Sequence, residues 1–245
     1  GDAKPLVPKS HGGDVAAEAT SDSSQDVADF VAKMKTVAPV GGAGRGRLMF
    51  AMDATMSRHP TWDMALQLQG QMFDAVRDVG GLDVQLVYYR GYEECRHSRW
   101  VSDPQSLARL MTQVGCRGGR TQIGKVLSHG REECATKKVD ALVIVGDAFE
   151  EDLDAVCAIA GELSLVGVPV FLFQEGRNAH AEQAFREIAR LTNGAWCRFD
   201  AGAAAQLRDL LRAVAVYAAG GRQALEMLTK QSSLGAGARL LLDQV

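Results

Sequence analysis

Four short runs of almost purely apolar residues punctuate the chain: LMFAM at 48–52, VQLVYY at 84–89, ALVIVG at 141–146 and VPVFLF at 168–173. Between them lie stretches whose apolar residues recur at helical spacing, as in Ala65, Leu68, Met72, Ala75 and Val79. A strand that is apolar on both sides must be covered on both faces, and strands that alternate with helices of ten or more residues pair in parallel. This alternation therefore predicts a doubly wound, mostly parallel α/β sheet with helices on both faces. Helices are expected over 64–79, 107–114, 123–134, 153–165, 182–191 and 207–217, and a last short strand over 195–199. The more polar run 93–101 follows the strand 84–89 after too tight a turn for a crossover. It is expected as a sixth, antiparallel strand at the sheet edge.

In such a sheet ligands bind beyond the carboxyl ends of the strands, where the strand order reverses. The polar residues directly after the first and fourth strands are Asp53-Ala54-Thr55-Met56-Ser57 and Asp147. Between them, Gly118-Gly119-Arg120-Thr121 opens the helix that leads to the fourth strand. Two carboxylates and three hydroxyls at one sheet end form an oxygen-only donor set of the kind hard divalent cations prefer. Hydroxyls neutralise little charge, so an ion held this way keeps its attraction for an incoming carboxylate. The bland alternative is that Asp, Ser and Thr after a strand cap the following helix.

The pattern Asp53-x-Thr55-x-Ser57, then Thr121, then Asp147, on alternating strands and helices, resembles the von Willebrand factor A domain with its metal-ion-dependent adhesion site. The resemblance covers about residues 45 to 220 and includes the antiparallel edge strand. It implies Mg²⁺ or Mn²⁺ as the cofactor, with Thr55, Ser57 and Thr121 touching the ion and Asp53 and Asp147 acting through water. It also implies a non-catalytic module that binds a protein partner through one of the partner's carboxylates. Thr at 55 replaces the usual Ser and keeps the ligand oxygen. Arg120 stands between the glycine pair and Thr121, and Ala148-Phe149 follows Asp147 where a glycine is common. Arg58, His59, Arg117 and Arg120 are expected to ring the site, either to hold neighbouring acids of the partner or as no more than a solvated rim, opposite an acidic rim of Glu150, Glu151 and Asp152.

Rival chemistries fit less well. Gly119-Arg-Thr-Gln-Ile-Gly124-Lys125 imitates a P-loop and makes a nucleotide hydrolase the main enzymatic alternative, but Val126 occupies the hydroxyl position that should hold Mg²⁺. Asp53-x-Thr55 lacks the second acid of an aspartyl phosphatase. A third reading is a structural module whose metal site has decayed. A net charge of −3 gives no basis for nucleic-acid binding. No apolar run approaches the roughly 20 residues of a membrane span. Five cysteines without a CxxC pair point to a reducing, cytoplasmic setting. Residues 1–24 are expected as a flexible tail, and 25–220 as one domain beginning with a short helix on which Val27, Phe30, Val31 and Met34 share a face. Residues 221–245 are expected as an appended helix and tail.

Overall fold

A computed structural model of the chain describes residues 45–230 together with 26, 28–30, 32 and 33. The expected tail at 1–24, residues 231–245 of the segment expected as an appended helix and tail, and Val27, Val31 and Met34 of the expected first helix lie outside the described residues. The described residues between 26 and 33 are helical, and Phe30 packs edge-on against Phe171 and Phe173.

Six strands form one sheet: β1 (Gly46–Asp53), β2 (Leu82–Arg90), β3 (Glu94–Val101), β4 (Ala141–Gly146), β5 (Val170–Glu175) and β6 (Ala195–Phe199). Their spatial order is β3-β2-β1-β4-β5-β6. Every pairing is parallel except β2 with β3, which is antiparallel as its short connection requires. The fold class read from the apolar alternation is the one observed.

The helices are α1 (His59–Leu68), α2 (Gly70–Ala75), α3 (Pro104–Thr112), α4 (Ile123–Thr136), α5 (Leu153–Leu165), α6 (Ala179–Leu191) and α7 (Ala204–Lys230). Because strand side chains alternate between faces, β1 feeds two cores at once. Leu48, Phe50 and Met52 join Trp62, Met72, Leu107 and the inner face of α7 on one side. Met49 and Ala51 join α4, α5 and α6 on the other. Each fully buried Leu, Phe or Met among them contributes roughly 1.5–3 kcal/mol, which is why strands apolar on both faces can only be the centre of a covered sheet.

Several boundaries differ from the sequence expectation, and three of the differences have a plain physical cause. The helix expected over 64–79 begins earlier, with Pro60 in its first turn, and divides at Gln69 into α1 and α2. Proline is tolerated there because the first turn's N–H groups have no intrahelical partner. Strand β5 extends past the apolar run to Glu175, since Gln174 and Glu175 still pair with β6. Finally, the helix expected over 207–217 runs from Ala204 up to Gly221, where a φ of 67°, within glycine's repertoire, breaks α7 into two helices; the second is the one expected after 221, and its Leu225 and Leu228 pack into the core.

Candidate metal centre

The order reverses between β1 and β4. The chain lays β2 and β3 on one side of β1, then crosses to place β4 on the other. Asp53 ends β1, and Asp147 follows the last residue of β4. The two carboxylates thus emerge side by side from adjacent parallel strands. Asp53, Thr55, Ser57, Thr121 and Asp147 all line one cleft of about 240 Å³, together with Met56, Gly118, Gly119, Ala148 and Glu150.

Local bonds shape each wall. Asp53 Oδ1 accepts from Thr55 N at 2.8 Å, which turns the chain sharply out of β1. The short 3₁₀ turn that follows at Met56–Arg58 has no side-chain cap. On the far wall, Thr121 Oγ1 accepts from Glu150 N at 2.9 Å and Thr121 N donates to a Glu150 carboxylate oxygen at 3.2 Å. The next residue on, Glu151, accepts from Ile123 N at 2.7 Å and Gly124 N at 2.9 Å. Helix α4 has no capping side chain of its own, so a carboxylate from the loop after β4 does that work, favourably placed at the helix N-terminus. These bonds zip the Thr121 loop to the Asp147 loop. Capping does not account for Asp147 itself: α5 is capped by Asp152, which accepts from Ala155 N at 2.8 Å.

Gly119 has a steric reason to be glycine. A Cβ there would lie 2.0 Å from the carbonyl oxygen of Gly91, and the two backbones touch where Arg120 N donates to that oxygen at 2.8 Å. The turn after β2 thus sets the height of the Thr121 loop above the sheet.

The electrostatics are those of a buried acidic pair. Asp53 is only 2% exposed and forms no ion pair among the described residues. Burial pushes its pKa up from 3.8 to about 6, against the opposing hydrogen bonds from Thr55, and Asp147 raises it further. The pKa of Asp147 is also raised, chiefly by burial, although Arg58 opposes the shift. Beside Asp53, the phenol of Tyr89 is fully buried and its oxygen has no hydrogen-bond partner among the described residues. Burial holds that phenol well above its ordinary range, so it remains a neutral donor. Two carboxylates, one of them poorly compensated, and three hydroxyl-bearing residues lining one cleft are a donor set that fits a hard divalent cation.

The expected basic rim divides. Arg117 and Arg120 are exposed, and their backbone amides tie the loop to Ala54 O and Gly91 O. His59 is exposed and faces Asp63, with Nδ1 3.2 Å from its carboxylate. Arg58 is not a free rim residue. It is folded inward, with one guanidinium nitrogen 3.1 Å from Asp147 and the other 2.7 Å from Glu175, whose carboxylate also accepts from Thr61 Oγ1. The attraction of the half-buried Asp147 and the buried Glu175 outweighs the solvation of an outward arginine. Glu175 was not foreseen; its signal in the sequence is a lone acid closing the apolar run VFLFQE.

The P-loop-like stretch does not form a phosphate cradle. It follows helix α3 and a loop, Val126 is buried in the α4 core face, and Lys125 Nζ donates to Glu93 O at 3.1 Å.

No protein-family model and no curated protein sequence matches the chain. Solved structures do. A von Willebrand factor type A protein from Catenulispora acidiphila superposes with a TM-score of 0.58 at 13% identity, over 72% of this chain and 43% of that one. The SpRpn10 VWA domain matches with a TM-score of 0.53 at 12% identity, over 78% and 97%. An aerotolerance-related membrane protein from Bacteroides fragilis matches at 0.50 with 20% identity, over 66% and 95%. The chain thus spans less than half of the first of these and nearly all of the other two. Likeness at such identities speaks for architecture alone, and on it, with the sheet order above, the chain has the von Willebrand factor A fold.

Proposed function

We propose that the domain binds a protein partner, catalyses no reaction, and holds Mg²⁺ or Mn²⁺ among Asp53, Thr55, Ser57, Thr121 and Asp147 to engage a partner carboxylate. The observation that carries this reading is the meeting of five oxygen-bearing residues in one cleft around a carboxylate buried without an ion pair among the described residues. When bound, the ion would supply the positive charge that attracts the partner's acid. The chain's own residues do the rest. Asp53 and Asp147 provide two negative charges, the hydroxyls orient the site without neutralising it, and the exposed Arg117 and Arg120 offer charge-assisted bonds to neighbouring acids. No constellation of nucleophile, base and orienting group lines the cleft among the described residues. All five cysteines are free, which suits a reducing, cytoplasmic setting, and no helix among the described residues is long and apolar enough to cross a membrane.

Calorimetric titration of Mg²⁺ and Mn²⁺ into wild type, Asp53→Ala and Thr121→Ala tests the reading. Binding by wild type that both substitutions abolish, with the fold intact, supports it. A second reading rests on Arg58, which already pairs with Asp147 and Glu175. If Arg58 is the permanent counter-ion of the site, the domain is a structural module and wild type takes up no metal even at millimolar concentration.

A further inference from the structure

A second cluster of ligand-bearing side chains lies away from the cleft, where the edge strand β3 meets helix α4. Ligand atoms of His97, His129 and Glu133 all fall within 4.8 Å of one another. None of the three lines the cleft at Asp53. His129 and Glu133 are four residues apart on α4 and so share one helix face. His97 reaches them from the neighbouring strand because β3 is irregular. Between the pairs Gln85–Trp100 and Val87–His97 the strand carries one residue more than its partner, a bulge, and there Ser98 Oγ accepts from Leu86 N at 3.0 Å. In a regular strand residues 97 and 100 would point to opposite faces. The extra residue turns both toward α4, where the ring of His97 lies against that of His129 at 4.0 Å and Trp100 Nε1 donates to Glu133 at 2.8 Å. Bulges that re-aim a side chain in this way recur beside functional sites.

We propose that His97, His129 and Glu133 form a binding site for a divalent transition metal of the zinc class, fastening the edge strand to α4. Two imidazoles and one carboxylate suit Zn²⁺, Co²⁺ or Ni²⁺ and do not suit Mg²⁺, which takes oxygen ligands and keeps its waters. A tetrahedral ion with bonds of about 2.0–2.1 Å asks for roughly 3.4 Å between ligand atoms. His129 Nε2 is already 3.7 Å from Glu133 Oε1, and His97 is exposed, so side-chain rotation alone closes the set. The supporting bonds are of the kind that orient metal ligands. Glu133 is fixed by Trp100 Nε1 and by Arg47 at 3.3 Å, while Gln85, buried at the base of the cluster, donates to Glu133 Oε1 at 3.3 Å. Gln85 Oε1 also accepts from His129 Nε2 at 2.9 Å, a bond that metal binding through that nitrogen replaces. Three protein ligands leave one position toward solvent beside the exposed His97. This site is independent of the cation proposed at Asp53.

Co²⁺ is the probe, titrated into the full chain in excess Mg²⁺ and followed by its visible absorption, with Zn²⁺ as the displacing ion. Wild type is expected to take up one equivalent with the spectrum of a low-coordinate nitrogen–oxygen site, displaced by Zn²⁺. His129→Gln should abolish the signal, and His97→Ala, at an exposed position that spares the fold, should weaken it by tenfold or more. Asp53→Asn should leave it unchanged. Wild type without saturable Co²⁺ uptake overturns the proposal, as does uptake that survives both histidine substitutions or disappears equally in Asp53→Asn.

Discussion

Replacing Asp53 by Asn tests the electrostatic account of the cleft most directly, because its effect changes sign with pH and with metal. The carboxyl titrates at about 6 in the folded domain against an ordinary 3.8, chiefly because it is buried. A pKa raised on folding means that the folded state holds a proton the unfolded chain has already released, so stability falls as pH rises between those two values. Each pKa unit corresponds to about 1.36 kcal/mol, so the buried charge costs on the order of 3 kcal/mol once pH exceeds about 7. Asn keeps the side-chain oxygen that accepts from Thr55 N and carries no charge. In chelator at about pH 7.5, Asp53→Asn should therefore be more stable than wild type by up to about 3 kcal/mol, a rise of roughly 6–12 °C in Tm for a domain of this size. Near pH 4 the two should converge. Mg²⁺ should then stabilise wild type alone, by about 2.7 kcal/mol when present at a hundredfold excess over its Kd, and close the gap. Thermal unfolding of both proteins at the two pH values, with and without Mg²⁺, measures all of this. An Asn variant less stable than wild type at neutral pH in chelator, or a difference that ignores pH, would refute the reasoning.

Further expectations follow from the same contacts. Arg58→Ala removes the cation that now covers Asp147 and Glu175; Mg²⁺ affinity measured by calorimetry should rise roughly tenfold, equivalent to about 1.4 kcal/mol, while metal-free stability falls. Gly119→Ala would drive a methyl into the Gly91 backbone, so it should displace the Thr121 loop and weaken Mg²⁺ binding at least tenfold; unchanged affinity would mean the loop height does not matter. Trp62 is buried and donates from Nε1 to Met111 O at 3.2 Å. Trp62→Ala should lower unfolding free energy by about 3–5 kcal/mol in urea titrations, with no change in m.

Placement of the candidate site was legible because two carboxylates stand directly after apolar runs, and adjacent parallel strands bring their ends together whatever the loops do. Asp53, Thr55 and Ser57 are close in sequence, so their shared wall needed no long-range information. The zipper of Glu150 and Glu151 onto Thr121 and α4 was not legible, since loop-to-loop hydrogen bonds leave no periodicity. The same limit hid the inward fold of Arg58. A sequence shows that an arginine follows the motif, not that Asp147 and Glu175 approach it from two other strands. His97 escaped notice for a sharper reason. Regular alternation assigns it to the face opposite Trp100, and only the bulge reverses that.

By itself, then, the order of apolar runs and helical spacings determined the layered sheet, the antiparallel edge and the strand ends where chemistry could gather. These follow from burial, which is additive along the chain and readable one segment at a time. Tertiary structure alone decided how charges far apart in sequence are paired, which histidines meet, and that Leu225 and Leu228 of the helix after Gly221 pack into the core. Those outcomes depend on distances between segments, and a hydrophobic pattern carries no information about distance.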